Sequence, residues 1–190
     1  TATEIASIAQ ATMNRLGGER NATLQFWLPS AYAPFRTAVD AALDAACNHW
    51  AAWLVVESTI ISNEDHPPAP GARNFGWAQM AFLTLPEAMA HEDWRRIWQQ
   101  DHTKVAIETQ ANFEYVQNLV IRPLTNNAPP YVAIVEECFP ESALTDPFVF
   151  FDAVGDKAKF EANLGQMMHS CGRFITPGTI DVIPTSQYNF

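Results

Sequence analysis

The sequence has 190 residues, of which 48% are apolar and 12% aromatic, and its 11 basic and 21 acidic residues give a net charge of −10. This content excludes a disordered chain, and the negative charge argues against a nucleic-acid partner, which would require a basic patch. No apolar run approaches the roughly 20 residues that cross a bilayer, so no membrane partner is expected. An odd set of three widely spaced cysteines favours a reducing, cytoplasmic location.

The first part of the chain mixes helical and strand patterns. Apolar spacing predicts a helix over 3–16 and a strand over 22–28 that Pro29 ends. A second helix is expected from Pro34 to about residue 46, followed by a strand rich in β-branched residues over 51–61. Three prolines and several charges then predict a linker or exposed loop over 63–75.

The second part has a regular order of elements. The pattern predicts strand, helix, two strands, helix and strand, which is the split βαβ order of a ferredoxin-like α+β fold. Such a unit packs both helices on one face of a four-stranded antiparallel sheet. The predicted strands are 76–85, 113–122, 131–139 and 179–188, and the predicted helices are 91–108 and 148–174, the second with a break near Gly155.

The two parts share a loose internal echo. QFWLPSAYAPF at 25–35 and ECFPESALTDPF at 137–148 each close a strand with Pro and open a helix with Pro-Phe. This predicts two related ferredoxin-like halves, with a partial first half over 1–62 and a complete second half over 76–190. Two such sheets packed face to face would form a barrel and bury their open faces.

The helix over 91–108 carries the most informative pattern. At 100° per residue, Trp94 and Trp98 share the apolar face, Asp101 falls near its middle and His102 at its edge. His102 is interpreted as a general acid or base, because burial tunes a histidine across neutrality. The alternative is a histidine that only hydrogen-bonds a backbone carbonyl at the helix end.

Two strands offer further polar candidates. Tyr115 and Gln117 alternate onto one face of the strand over 113–122 and Asn118 onto the other, so one face is expected to line a ligand cavity unless this is a half-exposed edge strand. Glu136 and Glu137 must point to opposite faces of the next strand. A buried carboxyl has a raised pKa and can act as an acid, unless an arginine such as Arg122 neutralises it.

These segments resemble a known family. WRRIWQQDHTKVAIETQANFEYVQNLVIRPL at 94–124 and PPYVAIVEECFPESALTDPFVFFDAVGD at 129–156 resemble the core of EthD-like proteins, which belong to the dimeric α+β barrel superfamily. The resemblance covers about 76–188 and suggests a member with two fused halves. It implies an acid–base role for His102 with Tyr115 as its hydrogen-bonding partner. It also implies a substrate site. The resemblance and the residue patterns together predict that the residues in contact with the substrate are Trp94, Trp98, Asp101, Gln117, Asn118 and Glu137.

The leading hypothesis is a cofactor-independent enzyme without a metal. It would catalyse proton transfer (dehydration, decarboxylation or cyclisation) on a neutral, apolar aromatic or polyketide-like compound, because an acidic surface does not attract anions. The alternative is a non-catalytic small-molecule-binding or scaffold protein, so whether the chain is an enzyme stays open here. Haem binding at His102 ranks last. A pseudo-dimer within the chain is the expected assembly, with a homodimer as the alternative.

Overall fold

The computed structural model describes residues 22–190, and the helix expected over 3–16 lies outside them. The described chain divides into two compact units. The first comprises 22–54 with Arg122–Pro129, and the second comprises Val55–Ile121 with Pro130–Phe190.

The first unit contains one regular helix. Helix α1 spans Ala33–Ala46, has Pro34 in its first turn as predicted, and buries Val39 and Leu43. The strand predicted over 22–28 is wrong. Within the described residues this stretch pairs with no strand, and Trp27 is 75% exposed, so burial does not stabilise an extended strand there.

The predicted strands and helices of the second part are present. The five strands are β1 (Trp53–Ile61), β2 (Trp77–Thr84), β3 (Glu114–Pro123), β4 (Tyr131–Phe139) and β5 (Asp181–Thr185). The helices are α2 (91–109), a 3₁₀ turn (Glu141–Leu144), α3 (Pro147–Phe150) and α4 (Lys157–Cys171). The break expected near Gly155 separates α3 from α4, and the Asp156 side chain accepts from Lys159 N at 2.9 Å to begin α4.

The strands form one sheet in the order β1-β3-β4-β2-β5. The pairs β3–β4, β4–β2 and β2–β5 are antiparallel. Strand β5 lies at the edge, as Pro184 predicted, because proline cannot donate to a second neighbour. The fold is therefore α+β, and the arrangement is compatible with a ferredoxin-like fold.

The core lies between the sheet and helices α2 and α4. Strand residues such as Ala81, Leu83 and Val135 pack there against Trp94 and Trp98. In the part of the chain that the structure describes, no helix combines the length and apolar character that crossing a bilayer requires.

A close approach of two backbones fixes the start of β2. Gly76 has a φ of +67°, and a Cβ atom at this position would lie 1.9 Å from the Phe139 carbonyl oxygen. Only glycine fits there, both for its left-handed backbone and for the space. The next residue, Trp77, is thereby brought into register with Phe139 at the end of β4.

Candidate functional site

A π-helical turn interrupts α2 and changes which side chains it buries. The helix is α-helical over His91–Arg96, π-helical over Ile97–His102 and α-helical again over Thr103–Thr109. Thr103 makes two hydrogen bonds to the carbonyl oxygen of Trp98, five residues earlier in the chain. Its backbone N–H donates one, and its hydroxyl donates the other at 3.1 Å. The wider turn advances the buried face by about one residue, and such turns are frequent at functional sites.

The position predicted for Asp101 is wrong for this reason. Thr103 and Ala106 follow Trp98 on the buried face, whereas Asp101 projects away from it. Its carboxylate accepts from Arg173 at 2.6 Å and lies 3.6 Å from Arg96. The hydrogen bond from Arg173 lowers the pKa of Asp101 below its usual value. Asp101 therefore belongs to a surface ion-pair cluster rather than to the helix–sheet interface.

The two tryptophans lie in the core as predicted. Trp94 and Trp98 are 0% and 1% exposed, and their ring centroids are 5.0 Å apart. The Trp94 indole donates to the Phe174 carbonyl at 3.1 Å, which satisfies its only polar group. Together they form an apolar wall against the helix-covered face of the sheet.

His102 lies between α2 and α4. Its Nδ1 is 2.9 Å from the hydroxyl of the buried Ser170, and its ring packs against Phe174 with centroids 4.7 Å apart. Burial lowers the pKa of His102 to about 4, so the imidazole is neutral at pH 7. The partner is a serine side chain rather than a backbone carbonyl.

Tyr115 is buried on the helix-covered face. The expected hydrogen bond to His102 is not formed. Its hydroxyl accepts from Gln117 Nε2 at 2.7 Å, and the same amide group donates to Thr103 Oγ1 at 2.8 Å. Burial, reinforced by the charge of Glu137, raises the pKa of Tyr115, so the phenol keeps its proton. The π-helical turn is thus tied to β3 through Thr103 and Gln117.

A carboxyl group occupies the middle of a polar row across three strands. Gln79, Glu137 and Tyr115 are register partners on β2, β4 and β3, and we call them the polar row. Glu137 is 7% exposed; its two oxygens accept from Gln79 Nε2 at 3.2 Å and Asn112 Nδ2 at 2.9 Å. Burial raises its pKa to about 7 despite these donors. Amides, not Arg122, satisfy this carboxyl group.

Apolar rows enclose the polar row on the same face of the sheet. On one side, the stacked rings of Trp77, Phe139 and Phe150 lie 4.6–6.4 Å apart. On the other side, Ala81 and Val135 belong to the main core. A group that exchanges a proton near neutrality is therefore held in a water-poor environment, which is how enzymes adjust acid–base residues.

Comparison with known protein families identifies this part of the molecule. Residues 86–176 match the family model of the EthD domain. The chain contains an EthD domain. This domain includes α2, β3, β4 and α4, and with them His102, Tyr115 and Glu137, whereas Gln79 precedes it. No curated protein matches the chain.

The opposite face of the EthD domain's sheet holds a second polar group. Asn118 is 4% exposed there, with Ile134 as its register partner, so the structure separates it from Tyr115 and Gln117. Glu136 lies on the same face as Asn118, as alternation predicted. Burial and the charges of Glu114 and Glu57 raise its pKa to about 7.

Sequence reasoning missed three residues of the EthD domain's site and its surroundings. Gln79 interrupts the apolar run from Trp77 to Leu83, and this single amide was a usable signal. Thr103 and Asn112 gave none, because their placement depends on the π-helical turn and on the end of α2. In the described residues no cluster of His, Cys, Asp and Glu is suited to a metal ion.

Two surface clefts lie elsewhere. One, of about 310 Å³, follows the outer turns of α2 between Glu92 and Gln100, and the other, of about 540 Å³, lies along α1. Neither is lined by Glu137 or Tyr115. Because Glu137 is 7% and Tyr115 1% exposed, contact of a ligand with these two side chains requires their neighbours to move.

Proposed function

We propose that the chain is a cofactor-independent enzyme that transfers a proton at Glu137 to or from a neutral, apolar aromatic or polyketide-like carbonyl compound. The observation that carries the proposal is the buried Glu137 carboxyl group, held by two amide donors and able to exchange its proton near pH 7. A catalytic pKa near the working pH gives the most effective acid–base catalysis.

The surrounding residues support this chemistry. Tyr115, which burial keeps protonated, faces Glu137 across β3 and β4 as a hydrogen-bond donor to a substrate oxygen. The apolar rows and the wall of Trp94 and Trp98 favour an uncharged substrate. Dehydration, decarboxylation and cyclisation of carbonyl compounds all pass through an enol or enolate, which this arrangement would stabilise.

His102 has a weaker claim to the same role. Since its pKa is about 4, the neutral imidazole is a poorer proton acceptor at pH 7 than Glu137. We propose that it holds α2 against α4 through Ser170 and, with Gln117, shapes the site.

A general test does not need the natural substrate. Proton abstraction next to a carbonyl exchanges that hydrogen for deuterium, so 2-tetralone in D₂O is incubated with the protein and its α-proton signal is followed by NMR. Wild type is expected to accelerate the loss of this signal, and Glu137→Gln to slow it by about 10²–10⁴-fold. Glu136→Gln is the matched control, because the adjacent carboxyl group has a pKa near 7 on the opposite face. Equal effects of the two variants would contradict the proposal.

The closed surroundings favour a second candidate, a non-catalytic small-molecule-binding or scaffold protein. Tyr115 is 1% exposed, and neither surface cleft reaches it. Binding of 2-tetralone without exchange at any pH would select this function.

We also propose that the opposite face of the sheet closes a dimeric α+β barrel against a second copy of the chain. Its support is the apolar Ile183, the register partner of Met80, which is 40% exposed on that face. Native mass spectrometry, which separates a 21.1 kDa chain from its dimer, tests this arrangement.

A further inference from the structure

Asn112 uses only half of its amide group within the described chain. Its Nδ2 donates to Glu137 at 2.9 Å, but its Oδ1 is buried and has no hydrogen-bond partner in the described residues. An acceptor left unpaired in this way costs stability, and native proteins satisfy nearly all such groups. The Asn112 oxygen, beside Glu137, is therefore available to a hydrogen-bond donor.

The other amide that binds Glu137 does not share this property. Gln79 donates to the second carboxylate oxygen at 3.2 Å, and its own oxygen is not among the buried atoms that lack a partner. Both amides therefore donate to Glu137, but of their two carbonyl oxygens only that of Asn112 is a buried atom without a partner in the described residues. A second buried atom without a hydrogen-bond partner among residues 22–190, the indole N–H of Trp77, belongs to the same face of β2, one row beyond Gln79.

Protonation of Glu137 changes which polar atom of the Asn112 amide is available to a ligand. An ionised carboxylate only accepts, so it requires the N–H of Asn112 and leaves the carbonyl oxygen for a ligand. A protonated carboxyl group has an O–H that needs an acceptor. Turning the amide over supplies its oxygen to Glu137 and leaves its N–H for a ligand instead.

We propose that Asn112 selects the ligand group at this site: its oxygen accepts from a ligand hydroxyl when Glu137 is ionised, and its N–H donates to a ligand oxyanion or carbonyl when Glu137 carries the proton. The inference rests on the proposed function, since it assumes that the polar row is a ligand site. The ligand class is a neutral enol or phenol. The ligand hydroxyl turns from the Asn112 oxygen to the Glu137 carboxylate; its O–H bond then breaks, the proton passes to Glu137, and the electron pair stays on the ligand oxygen as an oxyanion.

The other titratable groups near Glu137 do not compete in this exchange. They are Tyr115 on β3 and Cys171 on α4, whose pKa values are sensitive to the charge of Glu137. Burial raises the pKa of Cys171 to about 11 and also raises that of Tyr115, so both stay neutral around pH 7. On the helix-covered face Glu137 is thus the group whose charge changes, because Glu136, whose pKa is also about 7, lies on the opposite face of the sheet.

The test compares two probes of similar shape, 2-naphthol, which donates, and 2-methoxynaphthalene, which only accepts. Binding is measured by fluorescence at about pH 5 and about pH 8.5, on either side of the pKa of Glu137. Wild type is expected to prefer naphthol at the higher pH, and the preference should fall by about tenfold at the lower pH. Asn112→Leu, of similar size, should bind with a pH-independent preference.

Gln79→Met is the matched control. It removes the other amide donor but keeps Asn112, so the pH-dependent preference should persist with its midpoint moved to higher pH. A pH-independent preference in wild type, or a pH-dependent one in Asn112→Leu, would overturn the inference. The readout needs no turnover: loss of exchange activity in Glu137→Gln bears only on the proposed function. Failure of wild type to bind either probe would overturn both.

Discussion

Glu136 and Glu137 are neighbours in the sequence but lie in different environments. Glu137 faces the helices and is bound by two neutral amides, and burial is the cause of its raised pKa. Glu136 faces the other way, and its pKa is raised by burial together with the nearby charges of Glu114 and Glu57. Burial is thus the main cause of both raised pKa values, and the neighbouring charges act on Glu136 in addition. The pKa value alone does not distinguish the two carboxyl groups, whereas their partners do.

The largest expected effect comes from disturbing the close packing of β2 against β4, the two strands at the centre of this comparison. In Gly76→Ala, the new Cβ would overlap the Phe139 carbonyl oxygen, and the left-handed backbone would be strained. Strands β2 and β4 must then move apart at Trp77, one row from Glu137. We expect a loss of at least about 4 kcal/mol in the free energy of unfolding, measured by urea denaturation.

Gly155→Ala is the control for this variant. Gly155 also has a left-handed backbone, with φ of +77°, but a Cβ atom there would meet nothing within 4 Å. Only the backbone strain remains, so about 1 kcal/mol is expected. Equal losses in the two variants would show that the close approach at Gly76 is unimportant.

The next effect tests both carboxyl groups through pH. Each has a pKa of about 7 in the folded chain against 4.5 ordinarily, so the folded state holds its proton more tightly. Their stability contributions are complete below about pH 4.5 and are lost as the pH rises through about 7. Each loss corresponds to about 3 kcal/mol. Glu137→Gln and Glu136→Gln should each remove the contribution of one carboxyl group from the pH dependence of the free energy of unfolding, measured in urea.

Salt distinguishes the contributions of Glu136 and Glu137 to the pH dependence of stability. About 1 M NaCl screens the repulsion of Glu136 by Glu114 and Glu57, so the part that Glu136→Gln removes should shrink. The part that Glu137→Gln removes should persist, because desolvation is not screened. An equal salt response would mean that Glu137 also has a charged neighbour.

The sequence predicted most strands correctly but failed wherever one contact changed a regular pattern. Strand β4 spans the predicted residues, and its alternation placed Glu136 and Glu137 on opposite faces. The helical wheel failed at Asp101, because a period of 3.6 residues cannot anticipate a π-helical turn. Asn112 follows the end of α2 and belongs to no periodic element. Its role is visible only once the sheet brings Glu137 to it.

The smallest expected effect concerns His102, which lies between α2 and α4. Its pKa falls from 6.5 to about 4 on burial, so the folded state resists protonation. Its contribution is complete above about pH 6.5 and is lost as the pH falls through about 4, a change of about 2 kcal/mol for a half-buried ring. His102→Gln keeps a partner for Ser170 but cannot titrate. Urea unfolding between about pH 4 and 7 should therefore show a weaker acid-side loss in this variant. Parallel curves would mean that the imidazole reaches water in the folded state and that its pKa is not lowered by burial.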